Sequence, residues 1–301
     1  MVNHTRIALA AIAVVIPLAM VATLYTDSEP QTRNSAGSNR PVVVASFYPL
    51  YEFASQVAGD RAEVSSLVPT GIEPHDWEPT FNDISTVRSA DLVVINGAGF
   101  EAWSEEIDSV RLIDTSEGIE QEEEGLINPH FWLDPVLAIH QVERIRDGLI
   151  AVDPENADYY HERADRFISR LNSLDSLITS ELADCQKSDF IAFHDAFAHF
   201  AKRYGLTQHS ILGVSPEGEI PPQRIEQVIA LANELDIIVI YAEELIDSRL
   251  AETIAAEIRG GRVLVLSPME GIDKEEQQAG VGYIEKMEEN LANLKEGLDC
   301  R

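Results

Sequence analysis

Three of the eight histidines in this chain lie at the ends of predicted structural elements. His75 follows a strand predicted at 63–68, His194 ends a strand predicted at 190–193, and His130 lies in a turn between two prolines. Ligands of open α/β sheets bind at the carboxyl ends of the strands. Imidazole is the commonest protein ligand of zinc, and three imidazoles with one carboxylate complete a tetrahedral site. The three histidines together therefore predict a zinc site, although each one alone would indicate a hydrogen-bonded structural residue.

Proline residues hold two of these histidines in place. Pro74 and Pro79 flank His75, and the turn with His130 has a proline on either side, so the fixed φ of proline favours an ordered loop in both cases. The remaining histidines fall inside predicted helices, beside a strand or before the first apolar segment. We expect only structural roles for this group, His4, His140, His161, His199 and His209.

The elements that must position the three histidines follow a β-α-β-α pattern. Short apolar runs rich in β-branched residues alternate with segments of helical spacing, which indicates parallel sheets covered by helices. The predicted strands are 42–47, 63–68, 92–96, 111–114, 190–193, 210–214, 237–241 and 263–266. The predicted helices between and after them include 50–57, 84–90, 224–235, 250–258 and 283–298.

One long helix is predicted at 154–182. Asp153 is a suitable N-cap, Pro154 suits the first helical position, and apolar residues such as Phe167 and Leu171 recur at helical spacing. Such a helix would be roughly 40 Å long, which suits a connection between two lobes. The predicted fold class is α/β, with two lobes that contain parallel sheets and a single long rigid helix between them. The predicted boundaries are 41–152 for the first lobe, 153–183 for the helix and 184–301 for the second lobe.

The amino-terminal segment predicts export from the cytoplasm. Residues 7–25 carry no charge and residues 26–40 are polar, which is typical of an export signal followed by a flexible linker. The apolar stretch approaches the ~20 residues that a membrane helix needs, and no convincing cleavage site follows it. Residues 1–25 are therefore either a removed signal peptide or a membrane anchor. The protein is expected in the periplasm or on the outer face of the cytoplasmic membrane.

Composition excludes several classes of protein. The chain of 301 residues has 22 Lys and Arg against 52 Asp and Glu, a net charge of −30 without a basic patch. Nucleic-acid binding depends on neutralising phosphates with basic side chains, so nucleic acid is not an expected partner. The hydrophobic content of 45% is too high for a disordered chain. We expect a soluble, acidic surface and a monomer.

The two cysteines, Cys185 and Cys300, suit the expected compartment. An exported protein with an even number of cysteines favours a disulfide, and two free buried thiols are the alternative.

Four motifs, taken in order, resemble the solute-binding proteins of zinc and manganese ABC importers. They are residues 44–50 (VASFYPL), 73–79 (EPHDWEP), 128–135 (NPHFWLDP) and 193–197 (FHDAF), and the resemblance extends from Pro41 to the end of the chain. It implies a metal in the cleft between two lobes and delivery of that metal to a membrane permease, driven by a cytoplasmic ATPase.

The same resemblance implies the metal ligands. The family's first three ligand positions match His75, His130 and His194. Manganese-preferring members often have an acid at the third position, so the histidine here favours Zn²⁺ as cargo, with Mn²⁺ as the alternative. Many members have Asp as the fourth ligand where this chain has Ser267. Zinc-binding members with the same Pro-x-Glu pattern use the Glu, which implies Glu270, with Glu243, Glu244 or a water molecule as alternatives.

Other functions remain as alternatives. A zinc-dependent hydrolase could use Asp76 or Glu78 as its general base. An envelope adhesin would not need the metal. The chain has neither a complete G-x-S-x-G motif nor a phosphate-binding P-loop, so we expect a binding protein rather than an enzyme. The acidic loop at 117–124 is expected to be solvated, or to attract cations or hold a weak second metal site.

Overall fold

The computed structural model describes residues 40–75, 77–107, 111–120, 127–216, 218–272 and 274–301. The predicted export segment at 1–25, nearly all of the predicted linker at 26–40, Asp76 and half of the acidic loop at 117–124 lie outside these residues. Within the described ranges, none of the helices has both the length and the apolar character that a membrane span requires.

The first lobe contains a parallel sheet, as predicted. Its strands are β1 (Val42–Ala45), β2 (Glu63–Ser66), β3 (Leu92–Ile95) and β4 (Leu112–Asp114), in the order β2-β1-β3-β4. The central strand β3 is buried along its whole length, which explains its continuous apolar sequence. The helices of this lobe are α1 (Tyr48–Ala58), α2 (Phe81–Ser89) and α3 (Pro135–Val152).

A long helix and a second parallel sheet follow. The helix is α4 (Ala157–Leu182), and the strands are β5 (Asp189–Ala192), β6 (Thr207–Ser210), β7 (Val239–Ala242) and β8 (Arg262–Val265), in the order β6-β5-β7-β8. The helices after β5 are α5 (Ala198–Tyr204), α6 (Pro222–Glu234), α7 (Arg249–Ala256), α8 (Lys274–Ala279) and α9 (Tyr283–Gly297). The predicted class, two parallel-sheet α/β lobes with a long connecting helix, is confirmed.

The apolar residues predicted at helical spacing are buried along helix α4, but the helix begins later than predicted. Phe167, Leu171 and other residues at helical spacing are buried along it. The predicted cap is wrong, because a short 3₁₀ turn, Pro154–Asn156, precedes the helix. The Asp153 carboxylate is occupied by two other donors, the Tyr160 hydroxyl at 2.7 Å and the Asn156 amide at 2.7 Å.

Two other elements differ from the prediction. The bounds of helix α3, which contains His140, are not among the predicted ranges, although Asp134 caps it by accepting hydrogen bonds from the backbone N–H groups of Val136 and Leu137. Strand β6 is Thr207–Ser210 rather than 210–214. It is a half-exposed edge strand, so its sequence has little apolar character. The apolar residues after it leave the strand, and the N–H of Leu212 donates to the carbonyl of Phe193 at 2.9 Å.

The largest core cluster is continuous across both lobes. It includes Val43 of β1, Phe167 and Ile178 of α4, and Tyr241 of β7. The predicted disulfide between Cys185 and Cys300 is present and joins the chain just after α4 to the residues that follow α9.

Candidate metal centre

The loop after β2 presents His75 at the cleft between the lobes. Gly71, with φ of +80°, allows the turn in which the N–H of Ile72 donates to the carbonyl of Pro69. The N–H of His75 donates to Oε1 of Glu73 at 3.1 Å. The His75 side chain is 9% exposed, so this ring is almost enclosed but still reaches the solvent side of the site.

His130 is fully buried in the turn before α3. The amide of Asn96, at the end of β3, donates to the carbonyl of Pro129 at 2.9 Å and so attaches this turn to the first sheet. Nδ1 of His130 lies 2.7 Å from Oδ1 of Asn128, and the N–H of His130 donates to the same oxygen at 3.1 Å. Oδ1 can only accept, so Nδ1 of His130 carries the ring proton and Nε2 is free to bind a cation.

His194 lies two residues beyond β5 and is fully buried. Its Nδ1 lies 2.7 Å from Oε1 of Glu243, which follows β7 in the same sheet, so Nε2 again faces the cleft. The amide of Gln208 donates to the carbonyl of His194 at 2.8 Å. His194 lies between β5 and α5, which begins only at Ala198.

Glu270 reaches the same point from the loop after β8. Met269 adopts a positive φ of 56°, which turns the backbone so that the next side chain is buried. Ser267 is hydrogen-bonded within this loop: its N–H donates to Oδ1 of Asn290 at 2.7 Å, and its hydroxyl accepts from the N–H of Met269 at 3.2 Å. Ser267 therefore shapes the loop that carries Glu270.

The four side chains converge on one point. Oε1 of Glu270 lies 3.0 Å from Nε2 of His75, 2.9 Å from Nε2 of His130 and 3.3 Å from Nε2 of His194. Nε2 of His130 lies 3.3 Å from that of His75 and 3.1 Å from that of His194. A zinc tetrahedron with bonds of about 2.0–2.1 Å has edges of about 3.3 Å. The spacing of these donor atoms is thus suited to a single metal ion.

The alternative acids lie elsewhere. Glu243 contacts the far nitrogen of the His194 ring, and Glu244 pairs with the buried ammonium of Lys286 at 2.7 Å. Among the described residues, Oε2 of Glu243 and Oε2 of Glu270 are buried without a hydrogen-bond partner. The contact of Asn128 with His130 was not predicted from the sequence. Glu243 was predicted as a possible metal ligand, but it instead contacts Nδ1 of the proposed ligand His194.

The electrostatics of the centre favour a cation. Burial alone would raise the pKa of Glu270, but the charge of His194 and the close contacts of its carboxylate with the histidines hold it well below its usual range. Burial opposes the charge of His194 as well, yet Glu270 and Glu243 raise its pKa to about 10. Burial lowers the pKa of His130 to about 4, despite the opposing effect of Glu270. The metal-free centre thus holds a carboxylate and a proton on His194.

Three of the histidines expected to be structural have hydrogen-bond partners outside this cluster. Nε2 of His140 lies 2.8 Å from the carbonyl of Glu117, Nε2 of His199 lies 2.8 Å from the carbonyl of Asn128, and Nε2 of His209 lies 2.9 Å from Oδ1 of Asp189.

Two parallel-sheet lobes with a buried His₃Glu cluster between them define a two-lobed binding protein whose cleft can hold a metal ion. Residues 43–297 match the family described as ZnuA, zinc-uptake complex component A, periplasmic. The chain belongs to this family of metal-binding transport proteins, which are not enzymes.

Relatives agree with this assignment. The chain is 38% identical to the high-affinity zinc uptake system protein ZnuA of Bacillus subtilis, over 89% of this chain and 91% of the relative. The crystal structure of the Zn(II)-bound ZnuA-like domain of Streptococcus pneumoniae AdcA is 35% identical, with a TM-score of 0.78 over 86% of this chain and 99% of the domain. The chain spans only 56% of the length of the whole pneumococcal AdcA lipoprotein.

A third relative combines two activities. The structure of the laminin-binding protein Lmb of Streptococcus agalactiae, described as a bifunctional protein with adhesin and metal-transporting activity, is 31% identical. Its TM-score is 0.81, over 86% of this chain and 99% of Lmb.

Proposed function

We propose that this chain captures Zn²⁺ outside the cytoplasm and delivers it to the permease of an ABC importer, which a cytoplasmic ATPase drives. The observation that carries the proposal is the convergence of three imidazole nitrogens and one carboxylate oxygen within 4.8 Å of one another. Membership of the zinc-uptake family and the zinc-binding names of the relatives support it.

The proposed ligands are Nε2 of His75, His130 and His194, with a carboxylate oxygen of Glu270. The first two come from the first lobe, while His194 and Glu270 come from the second. Three imidazoles and one carboxylate suit zinc better than manganese, which prefers oxygen ligands. Because both lobes supply ligands, movement of one side would break the coordination and release the cargo.

The proposed arrangement in the cell follows from the sequence. Residues 1–25 serve as a signal peptide or membrane anchor and 26–40 as a linker, with the first lobe at 41–152, the connecting helix at 153–183 and the second lobe at 184–301. The monomer acts in the periplasm or at the outer face of the cytoplasmic membrane. A disulfide between Cys185 and Cys300 supports this location, because disulfides persist in oxidising compartments.

Metal titration of the purified full chain tests the proposal. We expect one tightly bound Zn²⁺ per chain, and a loss of about 100-fold or more in affinity for His130→Ala, which is about 2.7 kcal/mol. His161→Ala, an exposed position on α4, is the matched control and should bind as the unmodified chain does. Absence of tight zinc binding, or unchanged binding by His130→Ala, would overturn the proposal. Tighter binding of Mn²⁺ in competition would assign the manganese specificity instead.

Delivery needs a separate measurement. A strain that lacks this chain should grow poorly when zinc is scarce, and the unmodified chain should restore growth while His130→Ala should not. Equal rescue by both chains would argue against delivery.

An adhesin is the second candidate, and the adhesin activity in the description of Lmb favours it. Binding of the full chain to immobilised laminin, compared with His75→Ala, tests it. Saturable binding that the variant retains would support a metal-independent adhesin, and no binding would exclude this ligand.

A further inference from the structure

Asn128 lies where a loop of the first lobe touches the second lobe. Its Oδ1 accepts hydrogen bonds from Nδ1 of His130 at 2.7 Å and from the N–H of the same residue at 3.1 Å. Its Nδ2 donates to the carbonyl of Asp195 at 2.6 Å, and Asp195 directly follows His194. One side chain therefore joins a proposed ligand, His130, to the residue that follows another, His194.

These contacts fix which way the amide faces. The carbonyl of Asp195 can only accept, so it holds Nδ2, and Oδ1 must then face His130. His130 is accordingly kept in the tautomer with its proton on Nδ1 and its lone pair on Nε2. An amide that turned over would present Nδ2 to Nδ1 of His130 and favour a proton on Nε2, where it would block coordination.

A second hydrogen bond reinforces the same contact between lobes. Nε2 of His199, on α5, lies 2.8 Å from the carbonyl of Asn128, and the imidazole ring packs on Phe131 with their centroids 5.0 Å apart. Among the described residues, His199 makes no hydrogen bond to any of the four proposed ligands. Its contact with the backbone of Asn128 thus acts on the loop, and through it on His130.

The partner of His194 behaves differently. Glu243 and His194 both follow strands of the second sheet, so their 2.7 Å contact does not depend on the first lobe. A carboxylate has two equivalent acceptor oxygens and presents no donor when it is ionised, so it keeps the proton on Nδ1 of His194 in either orientation. The orientation of His194 therefore depends on the second lobe alone, whereas that of His130 depends, through the Asn128 amide, on contacts with both lobes.

We propose that Asn128 is a positioning residue that couples the contact between the lobes to coordination by His130. Loss of the Asp195 and His199 contacts lets the amide turn, His130 leaves the metal first, and the cation remains with His194 and Glu270 of the second lobe. The inference rests on the proposed function, because it requires a bound Zn²⁺.

The test compares zinc release from the full chain and its variants. His199→Phe retains a ring on Phe131 but removes the donor to Asn128, and Asn128→Ala removes the amide. Mutation of residues that orient metal ligands typically costs 10–100-fold, so we expect zinc to dissociate about tenfold faster from His199→Phe and up to about 100-fold faster from Asn128→Ala. The double variant should release zinc no faster than Asn128→Ala, because both changes act through one contact. His161→Phe is the control.

A spectroscopic measurement separates this role from a general loss of structure. In the zinc-bound full chain, the Nδ1 proton of His130 should exchange faster with solvent in His199→Phe, while that of His194 should stay protected. A release rate and His130 proton exchange equal to those of the unmodified chain, or additive effects in the double variant, would overturn the inference. Should Asn128→Ala fail to fold, His199→Phe alone decides. If the unmodified chain binds zinc tightly and His199→Phe has the same release rate and His130 proton exchange, only this inference is refuted. Absence of zinc binding by the unmodified chain refutes the proposed function.

Discussion

Oε1 of Glu270 lies 2.9 Å from Nε2 of His130, and neither side chain is exposed to solvent. Because Nδ1 of His130 donates to Asn128 and burial keeps the ring neutral, two lone pairs face each other across this distance. Such a contact is favourable only when a proton or a metal cation is shared at this point. In the metal-free chain, the proton on nearby His194 supplies the compensating charge.

Replacement of Glu270 by Gln should weaken zinc binding strongly. The amide removes the negative charge that faces three imidazoles, so we expect a loss of about 100-fold, or about 2.7 kcal/mol. Glu244→Gln is the matched control, since Glu244 pairs with Lys286 and should leave the affinity nearly unchanged. Calorimetric titration of both variants measures the difference. A greater loss of zinc affinity in Glu244→Gln than in Glu270→Gln would show that the fourth ligand has been assigned to the wrong acid.

Zinc binding should release protons, and its affinity should fall as the pH falls. His194, with its pKa raised to about 10, carries a proton at pH 7 that Zn²⁺ must displace, whereas His130, with its pKa lowered to about 4, does not. Below pH 10 this group makes the affinity rise by about tenfold per pH unit. Calorimetry in buffers with different ionisation enthalpies measures the released protons. Binding without proton release at pH 7 would contradict the assignment.

Glu101 should make the unfolding free energy depend on pH. Burial raises the pKa of this carboxyl to about 7, although Ser46 and two backbone N–H groups donate to it. The folded state therefore holds the proton more tightly than the unfolded state. The stabilisation is complete below the usual pKa of the carboxyl and is lost as the pH rises to 7, by about 1.4 kcal/mol per pH unit.

Denaturation of Glu101→Gln between pH 4.5 and 7 isolates this effect. Relative to that variant, the unmodified chain should lose about 3 kcal/mol of unfolding free energy across the interval. Glu105→Gln, an exposed position in the same segment, provides the reference. Parallel pH profiles for the unmodified chain and Glu101→Gln would show that the carboxyl is ionised throughout.

Loss of the disulfide should destabilise the fold without changing the metal centre. Cys185 and Cys300 are 115 residues apart, and opening a loop of this length typically costs about 2–5 kcal/mol. We expect this decrease in the unfolding free energy of the Cys185→Ser/Cys300→Ser variant, with zinc affinity unchanged. Reduction of the unmodified chain should have the same effect. A large decrease in zinc affinity would instead indicate that the bridge positions the second lobe.

Part of the centre could be predicted from the sequence because parallel strands end at a common edge. His75 and His194 each follow a strand, and that position alone suggested a shared site. The acidic ligand could not be chosen in this way, since Glu243 and Glu270 both follow strands. Their roles depend on side-chain direction: Glu243 faces Nδ1 of His194, whereas the left-handed backbone at Met269 turns Glu270 towards Nε2.

The fold differed from the prediction where local signals were weak or were overlooked. Helix α3 has a sequence signature, with Asp134 as cap, Pro135 at its first position and buried residues such as Val142 at helical spacing. Strand β6 has none, because an edge strand can be polar on both faces. The contact of Asn128 with His130 spans only two residues, but its dependence on Asp195 requires the tertiary structure.

The continuous core has a consequence for how this protein unfolds. Apolar side chains from both sheets pack on one helix without a boundary between them, so the largest part of the interior is shared, although each lobe also has a smaller core cluster of its own. The two lobes should melt in a single cooperative transition rather than one after the other. An opening that frees the cargo should therefore leave this shared interior intact.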